Sequence, residues 1–261
     1  MKPLIDIHNH TLWAMDDGIK TKEDALQQLF IAHQSNIQTI AVTPHIQPEG
    51  RFVFDKETII QATEKLTQLA KEHAIPITIR YGSEFLLTNQ SLSKIKEHIV
   101  PYQDTNWVLV EQRSVSNSTR LMVDGIDQML YLHKRVLIAH VERYFETISE
   151  AIETCTLWRK RGAYMQINRT SIIGMETGLR TKIARALIKH NLCHVIASDA
   201  HRTTGSRILK LDDSHQWISR NVSLSVADLL HHDNPRRLLE NEDLIDPPHE
   251  RQGVISRLLF R

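Results

Sequence analysis

Apolar positions along the chain follow two periods. Short runs rich in β-branched and aromatic residues fall at Leu4–His8, Thr39–Thr43, Ile77–Tyr81, Trp107–Glu111, Val136–His140, Tyr164–Asn168 and His194–Ser198, and they read as strands. Between them, apolar residues recur every three or four positions over Lys22–Asn36, Lys56–Glu72, Val123–Lys134, Thr147–Arg161 and Leu179–Asn191, the spacing of helices with one buried face. Val222–His231 and Asn234–Glu240 read as further helices. This alternation predicts a parallel sheet with crossover helices. Seven strand–helix passes with no break in composition favour a closed barrel in one domain, residues 1–246, with an open doubly wound sheet as the alternative. Thr203–His215 is the least regular internal stretch. The last residues, 247–261, form a basic tail with apolar residues at its end, read as a free terminus or as a segment that docks on a partner or on the domain itself.

Composition narrows the class. The 261 residues are 41% hydrophobic and 24% charged, as in ordinary globular proteins. Lys and Arg number 32 against 31 Asp and Glu, so no broad basic surface calls for nucleic acid or an anionic membrane. The N-terminal MKPLIDIHNHTLW lacks the apolar run of a signal peptide, and no stretch nears the roughly 18 apolar residues that suggest a membrane span, so no membrane insertion is expected. Two cysteines far apart, Cys155 and Cys193, imply no disulfide framework and fit a cytoplasmic location.

Histidine is the unusual count, at 15, and its placement matters more than its number. His8-Asn9-His10 follows the first strand, Thr43-Pro44-His45 the second and Gly82-Ser83-Glu84 the third. The fourth ends in Glu111 and the fifth in His140, with Glu142 and Arg143 close behind. Gln166 and Asn168 end the sixth, and Asp199-Ala200-His201 the seventh. That edge of a parallel α/β sheet is where active sites form. Residues i and i+2 of an extended chain share a side, so His8 with His10, and Asp199 with His201, can converge on one ion. Imidazole and carboxylate donors suit Zn2+, Mn2+ or Fe. Asp16-Asp17-Gly18 adds a carboxylate able to bridge two ions. Asp17 is favoured because Gly18 permits a tight turn behind it. Taken singly, each histidine fits a core or surface role, Asp199 fits a helix N-cap, and Asp16 and Asp17 fit a polar turn. Their coincidence on one sheet edge is what a metal site explains, because buried charges require partners.

With these residues in view, the chain resembles the polymerase-and-histidinol-phosphatase (PHP) family of metal-dependent phosphoesterases. Within that family it is most similar to the bacterial protein-tyrosine phosphatases of capsule and exopolysaccharide operons. The stretches IDIHNHTLWAMDDG, AVTPHIQPEGRF, YGSEF, VLVEQ, VLIAHVERY, QINRTSI, HVIASDAH and DNPRRLL carry the resemblance, from residue 4 to about 240. It implies a distorted seven-stranded (β/α) TIM-like barrel of the PHP type holding two or three divalent ions, often Mn2+, with Fe, Zn or Mg as other candidates. The ligands it implies are His8, His10, Asp17, His45, Glu84, His140, Asp199 and His201. It also implies Arg143 as the phosphate-binding residue, Glu111 as a catalytic glutamate and Arg51 as a substrate contact. The Ile46-Gln47-Pro48 that follows His45 departs from the basic or histidine residue often found there.

Clustered ions of this kind lower the pKa of a bridging water, and the resulting hydroxide attacks phosphorus in line. A planar guanidinium at Arg143 suits the phosphoryl oxygens, unless that residue is spent on a salt bridge with Glu142. Glu111 reads as a general acid or as a group that orients a ligand. Cys155 and Arg161 have the C-x5-R spacing of cysteine-based phosphatases, but the segment has no glycine before Arg161 and follows a helical pattern, so that chemistry is rejected. The expected reaction is hydrolysis of phosphotyrosine, with the tail of a membrane-associated tyrosine autokinase as the partner implied. The rivals are a histidinol-phosphatase or other small phosphomonoesterase, and a phosphotyrosine-binding module without turnover. The oligomeric state is left open.

Overall fold

The computed structural model describes residues 2–113 and 118–248, so the tail beyond Pro248 lies outside the described residues. Nine strand segments are described: β1 (Leu4–Asn9), β2 (Ile37–Val42), β3 (His45–Ile46), β4 (Thr78–Tyr81), β5 (Glu84–Leu87), β6 (Trp107–Gln112), β7 (Arg135–Ile138), β8 (Tyr164–Asn168) and β9 (Val195–Ala197). Every pairing is parallel. The segments divide into a sheet β1-β2-β4 and a sheet β3-β5-β6-β7-β8-β9.

The sequence predicts seven strands, and the difference has a local cause. β2 runs into β3 across Thr43-Pro44, and β4 into β5 across Gly82-Ser83. Pro44 has no N–H to give the ladder. Gly82 lies so close to Tyr102 that a Cβ would sit 2.8 Å from its ring. Backbone bonds still cross both breaks, Gly82 N–H to the Val42 carbonyl at 2.9 Å and Glu84 N–H to the Pro44 carbonyl at 3.1 Å. The short β3 and β5, which periodicity cannot reveal, carry His45 and Glu84. At the far edge the sheet curls back: Asp199 N–H bonds the His8 carbonyl and His10 N–H the Ala200 carbonyl, both at 2.8 Å. The result is an α/β fold with a curled parallel sheet.

Helices begin where the sequence supplies caps. Thr21, Asp55, Thr147 and Thr177 each accept a bond from the backbone N–H three residues on, opening helices Lys22–Gln34, Lys56–Glu72, Ile148–Lys160 and Gly178–Lys189. Alternate strand positions face two ways. Val108, Val110, Val136, Ile138 and Ile196 join the helices in the larger core, whereas Trp107, Leu109, Leu137, Ala139, Val195 and Ala197 pack together on the opposite, concave face. The helix expected from Val123 begins at Ser118. A helix over Asp212–Asn221 occupies part of the stretch read as irregular. It carries few apolar residues, and a buried Arg169 fixes its start by gripping Asp213 at 2.7 and 2.6 Å. The expected Val222–His231 helix is instead Leu224–Asp228 followed by a π-helical turn, Leu229–Asp233.

The N-terminal ends of the strands are sealed by residues 234–246. The Asn234 amide donates to the carbonyls of His194 and Ile245 at 2.8 and 2.9 Å and accepts from Ile245 N–H at 2.8 Å. The Trp107 indole donates to the Glu242 carbonyl at 3.0 Å, and Asn241 accepts from Asn106 N–H at 2.9 Å. Among the described residues no helix is long and apolar enough to cross a membrane.

Candidate metal centre

The opposite, C-terminal strand ends gather the predicted residues. His8 lies one residue before the end of β1 and His10 one residue beyond it, and their Nε2 atoms come within 3.4 Å. His45 opens β3, Glu84 opens β5, and Glu111 lies near the end of β6. His140 and Asp199 stand just beyond β7 and β9, with φ of 32° and 51°. Left-handed backbone is unfavourable for such residues, so surrounding structure must hold them there. Asp199 is therefore no helix cap; its backbone instead turns its carboxylate toward the histidines.

Glu84 is the hub. Its Oε2 lies 3.1 Å from His8 Nε2, 3.2 Å from His10 Nε2 and 3.1 Å from His45 Nδ1, while Oε1 is 2.8 Å from His140 Nε2. Asp199 Oδ1 lies 3.7, 3.6 and 3.4 Å from His8, His10 and His201. Asp17 Oδ1 sits 3.4 Å from both His45 Nε2 and His201 Nε2. Glu111 reaches His45 Nδ1 at 3.1 Å. All eight predicted ligands and Glu111 thus fall into four overlapping groups, and within each group the candidate donor atoms lie within 4.8 Å of one another.

The electrostatics explain what such crowding needs. Burial would raise the Glu84 carboxyl, yet His8 and His45 hold it well below the usual carboxylate range. Burial opposes charge on His45 and His10 as well, but Glu84 outweighs it at His45, pushed up to about 12, and Asp16 does so at His10, pushed up to about 9. His201 goes the other way, down to about 4, through burial and the neighbouring His10. Glu84 and Asp16 thus favour positive charge beside them, which either a proton or a metal cation can supply. Glu84 Oε2 and His45 Nδ1 are buried without a hydrogen bond despite their proximity. Buried polar atoms left unpaired in this way, within an N/O donor set, fit divalent transition metals.

A supporting layer orients the imidazoles. Gln166 Oε1 lies 3.0 Å from His8 Nδ1 and also accepts from His140 N–H at 3.0 Å. Asp16 Oδ2 lies 2.6 Å from His10 Nδ1 and accepts from His45 N–H at 3.0 Å. A Cβ at Gly18 would meet the His10 side chain at 2.4 Å, so the turn carrying Asp16 and Asp17 requires glycine there. Carboxylates and amides at the far nitrogen of a ligand histidine fix its tautomer and strengthen it as a donor.

Arg143 spans Asp199 Oδ2 and Glu176 Oε1, both at 3.0 Å, and its buried Nε has no partner. Glu142 does not pair with it by contact; that carboxylate accepts from Ser171 at 2.7 Å. Arg143, Glu111 and the donors His45, His140 and Asp199 line one cavity of about 270 Å³. Arg51 is exposed and reaches this region indirectly, 5.8 Å over the Phe52 ring, which stacks 6.0 Å from His45. Cys155 is fully buried inside helix Ile148–Lys160 and burial pushes its thiol up, so it has neither the loop nor the thiolate of a cysteine nucleophile.

Sequence reasoning missed Arg207, Glu176 and Arg180. Arg207 grips Asp199 Oδ1 at 2.7 Å, and Glu176 bonds both Arg143 and Arg180 at 3.0 Å. Glu176 and Arg207 lie in irregular segments with no periodic signal, and Arg180 lies in the first turn of helix Gly178–Lys189, where an arginine reads as an ordinary exposed position. Gln166 and Asn168 did carry one, an i,i+2 polar pair at a strand end, and Asn168 donates to Asp199 Oδ2 at 2.8 Å.

A family model described as capsular polysaccharide synthesis, CpsB/CapC, matches residues 4–240. The tyrosine-protein phosphatase CpsB of Streptococcus pneumoniae is 29% identical, over 92% of this chain and 99% of that protein. A solved structure described as YwqE from Bacillus subtilis and CpsB from Streptococcus pneumoniae, metal-dependent tyrosine phosphatases, superposes with a TM-score of 0.81 at 26% identity, covering 94% of this chain and 98% of that one. The histidinol phosphate phosphatase of Lactococcus lactis, solved with zinc, L-histidinol and phosphate, matches at a TM-score of 0.53 and 15% identity, over 92% of this chain and 94% of that one, which shows the shared fold alone.

Proposed function

The chain belongs to the CpsB/CapC capsular polysaccharide synthesis family, and from that footing we propose that it is a metal-dependent protein-tyrosine phosphatase. The observation that carries this reading is Glu84, a buried carboxylate shared by four imidazoles, with Arg143 facing the same cavity. His8, His10, Asp17, His45, Glu84, His140, Asp199 and His201 are the proposed ligands of two or three divalent ions, with Mn2+ as the preferred metal. When bound, such ions make water nucleophilic at neutral pH and offset the charge of the phosphoryl oxygens.

The chain's own groups do the rest. Arg143, held at two nitrogens by Asp199 and Glu176, presents its remaining N–H groups to the phosphate. Holding it before substrate arrives lowers the entropy lost on binding. Glu111, on the cavity wall beside His45, is assigned to protonating the departing phenolate. With a phenol pKa near 10, that help is modest. Arg51 is proposed to meet the substrate outside the cavity, from the surface of Phe52.

Residues 1–246 are proposed as one domain, since Asp246 still pairs with Arg159 at 2.8 Å and the 234–246 segment seals the sheet, leaving 247–261 as a tail. Counted through its two breaks, the sheet is proposed as a distorted seven-stranded barrel of the PHP type. The proposed setting is cytoplasmic, and the proposed substrate is the phosphorylated tail of a tyrosine autokinase that controls capsular or exopolysaccharide synthesis. The test compares kcat/KM for a phosphotyrosine peptide and for histidinol phosphate in Mn2+. Preference for the peptide supports the reading. Preference for histidinol phosphate keeps the metal centre and overturns the substrate.

A further inference from the structure

Three guanidinium groups at the cavity share two carboxylates in a chain. Arg207 pairs with Asp199 at 2.7 Å, Asp199 with Arg143 at 3.0 Å, Arg143 with Glu176 at 3.0 Å, and Glu176 with Arg180 at 3.0 Å. Positive charge is therefore left over, and it falls at the ends of the chain. Arg143 in the middle is spoken for on both sides. Arg180 is different: among the described residues its ion-pair partner is Glu176 alone, through one nitrogen, and its side chain is 40% exposed where it lines the cavity.

A surface pair four residues apart at the start of a helix would ordinarily be a weak, adaptable contact. Here the anchor is fixed. The Glu176 side chain is only 15% exposed and also holds Arg143 and the Thr170 hydroxyl, at 3.0 and 3.1 Å. Glu176 thus sets where the Arg180 guanidinium stands, one carboxylate further from Asp199 than Arg143. Met175 and Leu179, exposed at 56% and 42%, border the same turn. That segment offers a cation flanked by apolar surface, the chemistry that receives a peptide with an acidic side chain rather than a bare phosphate ester.

We propose that Arg180 is a specificity-determining residue that binds the carboxylate of an acidic residue neighbouring the phosphotyrosine in the protein substrate. This rests on the phosphatase reading above. Glu176 is its positioning residue, tying recognition of the flanking acid to the arginine that faces the phosphate.

The experiment compares matched phosphotyrosine peptides carrying Glu or Gln at the first or second position on either side, using the Mn2+-loaded full chain, wild type and Arg180→Met. Wild type should favour at least one Glu peptide over its Gln partner by about fivefold in kcat/KM, the size of one partly exposed charge contact. Arg180→Met should bring that ratio to about one. A wild-type ratio of one at every position overturns the proposal, as does a ratio that survives the substitution. So does an equal loss on both peptides and on a small aryl phosphate, which would place Arg180 on the phosphoryl group. Equilibrium binding of the same peptides gives the same ratio without turnover. Absent hydrolysis of the aryl phosphate would count against the phosphatase reading while the binding ratio still decides Arg180.

Discussion

The two ends of the parallel sheet bury polar groups by opposite rules. At the N-terminal ends of the strands Asn234, Trp107 and His194 are matched: Asn234 makes bonds with two separate backbone segments, Trp107 finds a carbonyl, and His194 sits between Met165 N–H and Asp246 at 3.1 and 3.0 Å. At the C-terminal ends four imidazoles crowd one carboxylate, two candidate ligands, His140 and Asp199, adopt left-handed backbone, and buried polar atoms are left unpaired. A fold keeps such a conflict only where something else resolves it. One end therefore stabilises the curled sheet, and the other gives up stability to hold the candidate metal site.

The widest gap between the two ends should come from Asp199→Asn. Losing a carboxylate that faces His8, His10 and His201 should cut kcat/KM on a phosphotyrosine peptide about 1,000-fold or more and reduce bound metal. Steady-state kinetics with metal analysis checks both, and a variant with full metal content and normal turnover breaks the comparison. Asn234→Ala is the converse. Leaving the His194 and Ile245 groups without partners should cost about 3 kcal/mol of stability in denaturant unfolding, with kcat/KM unchanged in the folded enzyme. A large kinetic effect there would show that the ends are coupled.

Gln166→Leu should have a smaller effect, confined to the site: removing the acceptor at His8 Nδ1 should weaken metal affinity about 10- to 100-fold, measured by competition with a chelator. An unchanged affinity would remove the orienting role. Away from the metal cluster, burial holds His231 neutral, its pKa lowered to about 3 from 6.5. The unfolded chain takes up a proton below about 6.5 that the folded chain refuses. His231 therefore contributes fully above that pH, and its contribution is lost as pH falls from 6.5 toward 3. His231→Gln should make the decline in unfolding free energy between pH 6 and 4 shallower by roughly 1 kcal/mol per pH unit. Parallel curves would contradict this.

What could be read from the sequence divides along similar lines. His8, His10, Asp199 and His201 were legible because strand geometry alone puts i and i+2 together, and Glu111 and His140 because strand ends share an edge. Asp17 was separated from Asp16 by Gly18, and the structure uses both: Asp17 faces His45 and His201, and Asp16 props His10. Arg207 was not legible, since its loop is placed by Arg169 reaching the Ser206 carbonyl and Asp213, contacts that span about forty residues. Asn234 was seen only as the start of a helix, because its partners lie elsewhere in the chain. The breaks after β2 and β4 were hidden because β3, of two residues, and β5, of four fully buried ones, show no alternation to detect.

The most direct test is phosphotyrosine-peptide hydrolysis by the wild-type chain and by Cys155→Ser, first stripped of metal and kept in EDTA, then restored with Mn2+. The metal-centre account predicts no turnover in EDTA, recovery on adding Mn2+, and the same behaviour in both proteins. Turnover by a chain shown to be free of metal, abolished by Cys155→Ser, would contradict it.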